Sequence, residues 1–286
     1  MPLEALLKPL IYGLQIGLTY ILVALGFTVI FSIMNIINLA HGEIYMLGAF
    51  SVFFLCGLLH IDYIVALFIS IAAVGLVGVL LERLFFRPVR GEIIATVIIA
   101  MGLMWLLQSA AQLIFGKEPR GMAEVFQGTI TLFNVRISDS RVIAGLISII
   151  LVIAVYFFVY KTKQGRALQA MAQDGDAAAL LGVDGDIVGA LGFGLGCALA
   201  GAAGGIMAPI LFVDATMGSP ILIKSLAIVI LGGMGSIPGA VIGGLILGIL
   251  DSYGQTYLGY PAATFPFLII ILVLLFKRTG LMGRSA

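Results

Sequence analysis

Residues 35–50 read NIINLAHGEIYMLGAF. His41 and Glu43 stand there, with Asn35 and Asn38 on the approach, in a chain that is elsewhere almost unbroken hydrocarbon. Lipid offers no hydrogen bond to a freed backbone group or a polar side chain, so such a stretch at membrane depth must be covered by protein or line a water-filled cavity. The segment is therefore predicted to break a spanning helix near 34–42 and to face inward. Its polar residues have two roles open to them. They cap groups freed at the break, with Glu43 at a helix N-terminus where partial positive charge favours a carboxylate. Alternatively they line or gate a pathway, ionisable residues within spans being functional candidates by default.

The rest of the chain makes membrane depth the setting. Of 286 residues, 62% are hydrophobic and 10% charged, and the mean hydropathy is +1.20, outside the range of a water-soluble domain. Gly occurs 37 times, which suits closely packed membrane helices. A net charge of +1 carries no signal for nucleic acid. The two cysteines, Cys56 and Cys197, each lie in an apolar run and read as packing residues. The opening MPLEALLKPLIYGLQIGLTY has no small-residue cleavage pattern and reads as a retained first helix.

A bilayer core takes roughly 20 helical residues to cross. By that measure spans fall near 9–33, 43–60, 62–82, 93–115, 141–160, 187–212 and 262–277. The stretch 221–253 is broken by GGMGSIPG at 232–239 into two pieces, each short for a crossing. The predicted fold is an all-α polytopic membrane protein of about eight or nine spanning segments, with broken or re-entrant helices near 34–42 and 232–239. No stretch between spans is long enough for an independent core, so 1–286 is expected to form one membrane domain.

Sidedness follows from Lys and Arg in short loops. Arg83, Arg87 and Arg90, then Lys161, Lys163 and Arg166, then Lys277, Arg278 and Arg284 belong in the cytoplasm. The loop 116–140 balances Lys117, Arg120 and Arg136 with Glu118, Glu124 and Asp139 and is expected outside. The side of residue 1 stays open, because neither break carries Lys or Arg. The two breaks resemble each other, His41-Gly42 in one and Pro238-Gly239 in the other, and an internal repeat would pair them; chance similarity in a Gly-rich chain is the alternative.

Three further features complete the reading. In GRALQAMAQDGDAAALLGVDGDIVGAL (165–191) a helix is predicted from about Arg166 to Leu181, stopped by Gly182. Its surface is small and Ala-rich, which fits a docking groove on another protein better than a bilayer surface. The four-residue spacings Gly235-Gly239-Gly243, Gly244-Gly248, Gly192-Gly196 and Gly201-Gly205 put small residues on single helix faces for close packing. Asp251 and Lys224 lie near the ends of their segments and are expected at the interface. There is no G-x-x-x-x-G-K-[ST], no metal-ligand spacing and no nucleophile elbow, so no catalytic or metal residue is assigned.

Five collinear blocks carry a family resemblance: 17–50, ERLFFRPVRG (82–91), 165–188, ILGGMGSIPGAVIGGLILGILDS (230–252) and LVLLFKRTGLMGR (272–284). Together they resemble the LivH-type permeases of branched-chain amino acid ABC importers. Asp176-Ala177-Ala178 followed by Gly182 is similar to the E-A-A-x-x-x-G pattern of such permeases, with Asp for Glu, and with Arg166 it marks the ATPase-coupling loop 161–186. The resemblance implies a transport subunit, not an enzyme, in a bacterial-type cytoplasmic (inner) membrane. It implies import of Leu, Ile, Val or other small neutral amino acids. The implied partners are a LivM-type second permease or a second copy, an extracytoplasmic substrate-binding protein, and two ABC ATPases that hold ATP and Mg; no cofactor is expected on this chain. The pathway or gate candidates are Asn35, Asn38, His41, Glu43, Gly233, Gly235, Ser236 and Pro238. The same architecture importing urea or short amides is the alternative. A stand-alone secondary transporter or channel would need more intramembrane charge than Glu43, Asp251 and Glu82 supply.

Overall fold

The structure is a computed structural model that describes residues 3–122, 125–132, 135–259, 264–277 and 279–283. Glu124, Arg278 and Arg284 lie outside the described residues. In chain order the helices are α1 (Leu3–Met34), α2 (His41–Gly57), α3 (Tyr63–Leu81), α4 (Ile93–Phe115), α5 (Asp139–Lys161), α6 (Lys163–Gln173), α7 (Gly175–Leu180), α8 (Gly185–Met207), α9 (Gly218–Gly232), α10 (Ile237–Tyr257) and α11 (Phe265–Phe276). A π-turn at Glu82–Phe86 and a 3₁₀ turn at Arg87–Val89 continue α3. One antiparallel hairpin, β1 (Thr129–Leu132) and β2 (Val135–Ser138), sits in the loop before α5. The all-α polytopic class expected from composition holds: among the described residues six helices are long and apolar enough to cross a membrane, and α2 and α9 are shorter apolar helices.

α1 has 32 residues, about 48 Å of helix, and every residue from Thr19 to Ile30 is buried. It is the central post of the bundle. It ends because Asn35 takes a left-handed conformation (φ +52°) and its N–H closes the last turn on Phe31 O at 2.8 Å, a conformation Asn tolerates better than most residues. The chain then turns back into the bundle. His41 Nε2 lies 3.1 Å from Val23 O, and Val23 stands eleven residues before Met34, about 16 Å along the axis. α2 therefore starts inside the bundle, and its 17 residues do not make the full crossing expected of 43–60.

The second break holds at 233–236, between α9 and α10. Only one of its flanking pieces is short: α9 has 15 residues and α10 has 21, so α10 spans and the expectation of two short pieces is corrected. Close packing follows the glycine stripes. α10 lies antiparallel on α1, where a Cβ at Gly13 would stand 2.7 Å from Ile249 Cα. α8 crosses α1 where Gly26 meets Gly196, and α3 runs antiparallel along α8, with Gly78 against Cys197 and Gly194.

These contacts form an inverted repeat. α8, α9, α10 and α11 pack among themselves and against the first half as α1, α2, α3 and α4 do: α10 lies on α1 as α3 lies on α8, and α2 and α9 meet each other. The break at 35–40 thus corresponds to the connection 208–217, not to 232–239, which corrects the pairing suggested by sequence. The arginine-rich turn 82–90, the start of α8 and the end of α1 share one end of the bundle, since Arg90 pairs with Asp186 and both Arg90 and Met34 line Gly189. Leu6 O accepts from Tyr253 Oη at the opposite end. With the arginines in the cytoplasm, the start of α1 lies outside.

Candidate functional site

α2 and α9 begin at the same place. Gly42 and Gly218 pack backbone to backbone, so that a Cβ on Gly42 would overlap Gly218 O. Two helix N-termini, each carrying partial positive charge, therefore face one another inside the bundle. Glu43, 1% exposed, is placed between them, its carboxyl carbon 2.9 Å from where a Gly218 Cβ would sit. One carboxyl group thus lies beside both ends, and its Oε2 is buried with no hydrogen-bond partner among the described residues. The sequence reading of Glu43 at a helix N-terminus describes half of this; the second terminus comes from a segment 175 residues away. His41 is fully buried, edge-on to Phe27 at 5.6 Å between centroids, and Asn38 caps the turn through Oδ1, which accepts from Ala40 N–H at 3.0 Å.

Six residues beyond Gly218, about 9 Å along α9, lies a second charge cluster. Lys224 Nζ donates to Asp251 Oδ2 and to Tyr20 Oη, both at 2.7 Å, and Tyr20 Oη also donates to Asp251 Oδ2 at 2.7 Å. Asp251 stands fourteen residues beyond Ile237, about 21 Å along α10. The expectation that Lys224 and Asp251 are interfacial is thus wrong: their side chains are 17% and 3% exposed and joined inside the bundle. A lysine on a helix aims toward that helix's N-terminus, which carries Nζ away from the cytoplasmic end and up to Asp251.

At the cytoplasmic end α1, α5, α6 and the second break enclose a cavity of about 520 Å³. Asn35, Gly235, Ser236 and Pro238 line it, together with Ser32, Gln169 and Gln173. Its polar groups are uncharged, and Val29, Phe31, Val159 and Leu168 supply apolar wall. The break is shaped by Gly233 and Gly235, both left-handed (φ +100° and +82°), and by Ser236, whose Oγ accepts from Gly239 N–H at 3.1 Å and starts α10. Gly233 itself is turned away from the cavity: a Cβ there would stand 2.6 Å from Gly283 Cα, and Leu281 and Met282 N–H bond the last carbonyls of α9.

The predicted helix 166–181 is two helices. Asp174 is extended (φ −157°, ψ 103°) and its Oδ1 accepts from Ala177 N–H at 2.9 Å, so it caps α7 and ends α6; a short acid prefers this role to a helix interior. α6 is tied back to α5: Thr162 Oγ1 accepts from Gly165 N–H at 3.0 Å, and Gln169 Nε2 donates to Val159 O at 2.7 Å. α7 projects. Leu180 and Leu181 are 90% and 86% exposed, and Gly182 (φ +84°) ends the helix as the sequence indicated.

A family model described as branched-chain amino acid transport system / permease component matches residues 10–276. The chain belongs to this permease family. It is 33% identical to the high-affinity branched-chain amino acid transport system permease protein LivH of Escherichia coli (strain K12), over 97% of this chain and 96% of that protein. It is 31% identical to BraD of Pseudomonas aeruginosa over the same shares, and 29% identical to a probable LivH of Methanocaldococcus jannaschii over 92% of this chain and 88% of that one. No solved structure matches. The permease is a multi-pass transport protein of the cytoplasmic (inner) membrane.

Within the permease, the sequence-derived pathway candidates separate into two groups. Asn35, Gly235, Ser236 and Pro238 meet in the cavity, whereas Asn38, His41 and Glu43 are at most 1% exposed and lie above it in the bundle. Of the coupling-loop candidates, Arg166, Asp176, Ala177 and Gly182 are exposed and Ala178 is buried against its own chain. Sequence reasoning missed Tyr20, Gln169 and Gln173. Each is an ordinary residue in its own helix and gains a role only from what another helix brings to it. Lys224 carried a signal that went unread: a lysine in mid-segment within an apolar run needs a carboxylate partner.

Proposed function

We propose that this chain is a membrane-spanning permease subunit of an ATP-binding cassette importer for branched-chain or other small neutral amino acids. The observation that carries the reading is α7: a six-residue helix at the arginine-rich end that offers Leu180 and Leu181 to solvent and is joined to α6, a wall of the cavity. Two fully exposed leucines on a short rigid stub fit a groove on a cytoplasmic partner. A push on α7 would move α6 and so change the cavity.

In this reading two partner ATPases bind ATP and Mg and clamp beneath the permease, with one ATPase receiving α7. A second permease, or a second copy of this chain, completes the pathway, and an extracytoplasmic binding protein delivers the substrate. Nucleotide hydrolysis belongs to the partners, and this chain holds no cofactor. The uncharged cavity, part amide and hydroxyl and part aliphatic, suits a solute with no net charge and an apolar side chain. The whole chain, 1–286, acts as one membrane domain that includes the coupling loop.

The test is reconstitution in liposomes with the partner ATPases, permease and binding protein. Leucine uptake is expected to require ATP, to exceed urea uptake, and to be lost in L180S/L181S while the cavity-facing residues stay intact. Uptake by this chain without ATPases would overturn the reading.

A further inference from the structure

At the cytoplasmic end of α3, Glu82 is fully buried and bound by two arginines of the following turn. Arg87 Nη2 donates to its Oε2 at 3.1 Å, and Arg90 Nη2 to its Oε1 at 2.6 Å. Both arginines then reach across to the first turn of α8. Arg90 Nη1 donates to Asp186 Oδ1 at 2.9 Å, Arg87 Nη1 to Asp186 Oδ2 at 3.4 Å, and Arg87 Nη2 to Asp186 O at 3.0 Å. Two positive and two negative charges balance. Gly189, one turn on, leaves room for the span: a Cβ there would stand 2.6 Å from Arg90 Nη2.

The two halves of this clasp differ in kind. Glu82 and its arginines belong to one continuous segment, and a buried carboxylate without them would carry a heavy desolvation cost, so that half supports the fold. Asp186 is 57% exposed at its side chain and joins segments nearly 100 residues apart. An exposed pair adds little stability, yet it makes a charged link from the coupling loop's exit to the turn that follows α3. Asp184 Oδ1 accepts from Asp186 and Ile187 N–H, so the residue that follows α7 and Gly182 into α8 is held directly against the clasp.

We propose that Arg87, Arg90 and Asp186 are positioning residues that lock α3 to α8 at the coupling loop, so that displacement of α7 moves both helices as one lever. Within the first half, α3 carries that motion to α2, because Ser70 Oγ donates to Gly48 O at 3.2 Å. This rests on the ABC coupling reading above. Asp186→Ala removes both ion pairs to α8, keeps only the arginines' bonds to the Asp186 and Gly185 carbonyls, and leaves Glu82 paired with both arginines.

In the reconstituted complex, D186A is expected to assemble and hydrolyse ATP near the wild-type rate. Its leucine uptake per ATP should fall about tenfold, within the range of coupling between distant sites, and D186E should restore the ratio. An unchanged ratio in D186A would overturn the proposal, as would loss of assembly in both D186A and D186N, since Asp186 would then be a folding staple. Wild-type uptake without ATP would instead sink the coupling reading itself, so the two failures are distinguishable.

Discussion

Lys224 Nζ lies 2.7 Å from Asp251 Oδ2 in the interior of the bundle, with Tyr20 Oη bonded to both. The pair fastens a half-length helix, α9, to two full-length ones. Desolvating two charges is costly, and the pair returns that cost only while both partners are present. K224M or D251L alone should therefore destabilise the protein by about 3–5 kcal/mol, while the double variant K224M/D251L should recover most of the loss. Thermal unfolding of the detergent-solubilised protein, read as a double-mutant cycle, checks this; equal losses in single and double variants would refute it.

Glu43 lies between two opposed helix N-termini, where a carboxylate gains up to ~1 kcal/mol from each at the usual strength of that interaction. E43A is expected to cost about 1–2 kcal/mol by that account, and E43D to cost as much despite keeping the charge, because the shorter side chain no longer reaches Gly218. G42A should be destabilising by about 1–3 kcal/mol through overpacking against the Gly218 carbonyl. Unfolding midpoints measured at fixed lipid and detergent composition decide. A neutral E43A would mean that the two termini are satisfied without it.

The cavity takes in Asn35 of the first break and Ser236 of the second but not Asn38. N35C and S236C are expected to react with a membrane-impermeant thiol reagent applied from the cytoplasmic side, in a background lacking Cys56 and Cys197. N38C, 1% exposed as Asn, is expected to be inert. ATP binding by the partner subunits should change the N35C and S236C rates, because α6 lines the same cavity. Equal labelling of all three would show that the cavity does not end where Asn35 turns the chain.

Much of this architecture is written in local chemistry. Uninterrupted apolar runs determine helices in lipid, since only a helix satisfies its own backbone there; Arg83, Arg87 and Arg90 orient them; Asn35, Gly233 and Gly182 stop them where a left-handed residue is needed. These are properties of a residue and its near neighbours, so the breaks and the projecting loop were legible at once. Asp174 was equally local, yet the Ala-rich run around it obscured its capping role.

What the tertiary structure alone decided is which segments meet. That α2 and α9 start against each other, that the break at 35–40 pairs with 208–217, that the start of α1 lies at the end of the bundle opposite the arginines, and that Lys224 finds Asp251 all depend on contacts between residues far apart in the chain. Interhelical packing in a membrane rests on close backbone approach, with no water to expel. Glycine stripes announce that some helix comes near without saying which, and a buried charge announces a partner without naming it. The partner's identity resides in the assembled bundle, because many small-residue faces in this chain could accept one another, and the pairings formed are those that bring Glu43 to Gly218, Lys224 to Asp251 and Glu82 to its arginines.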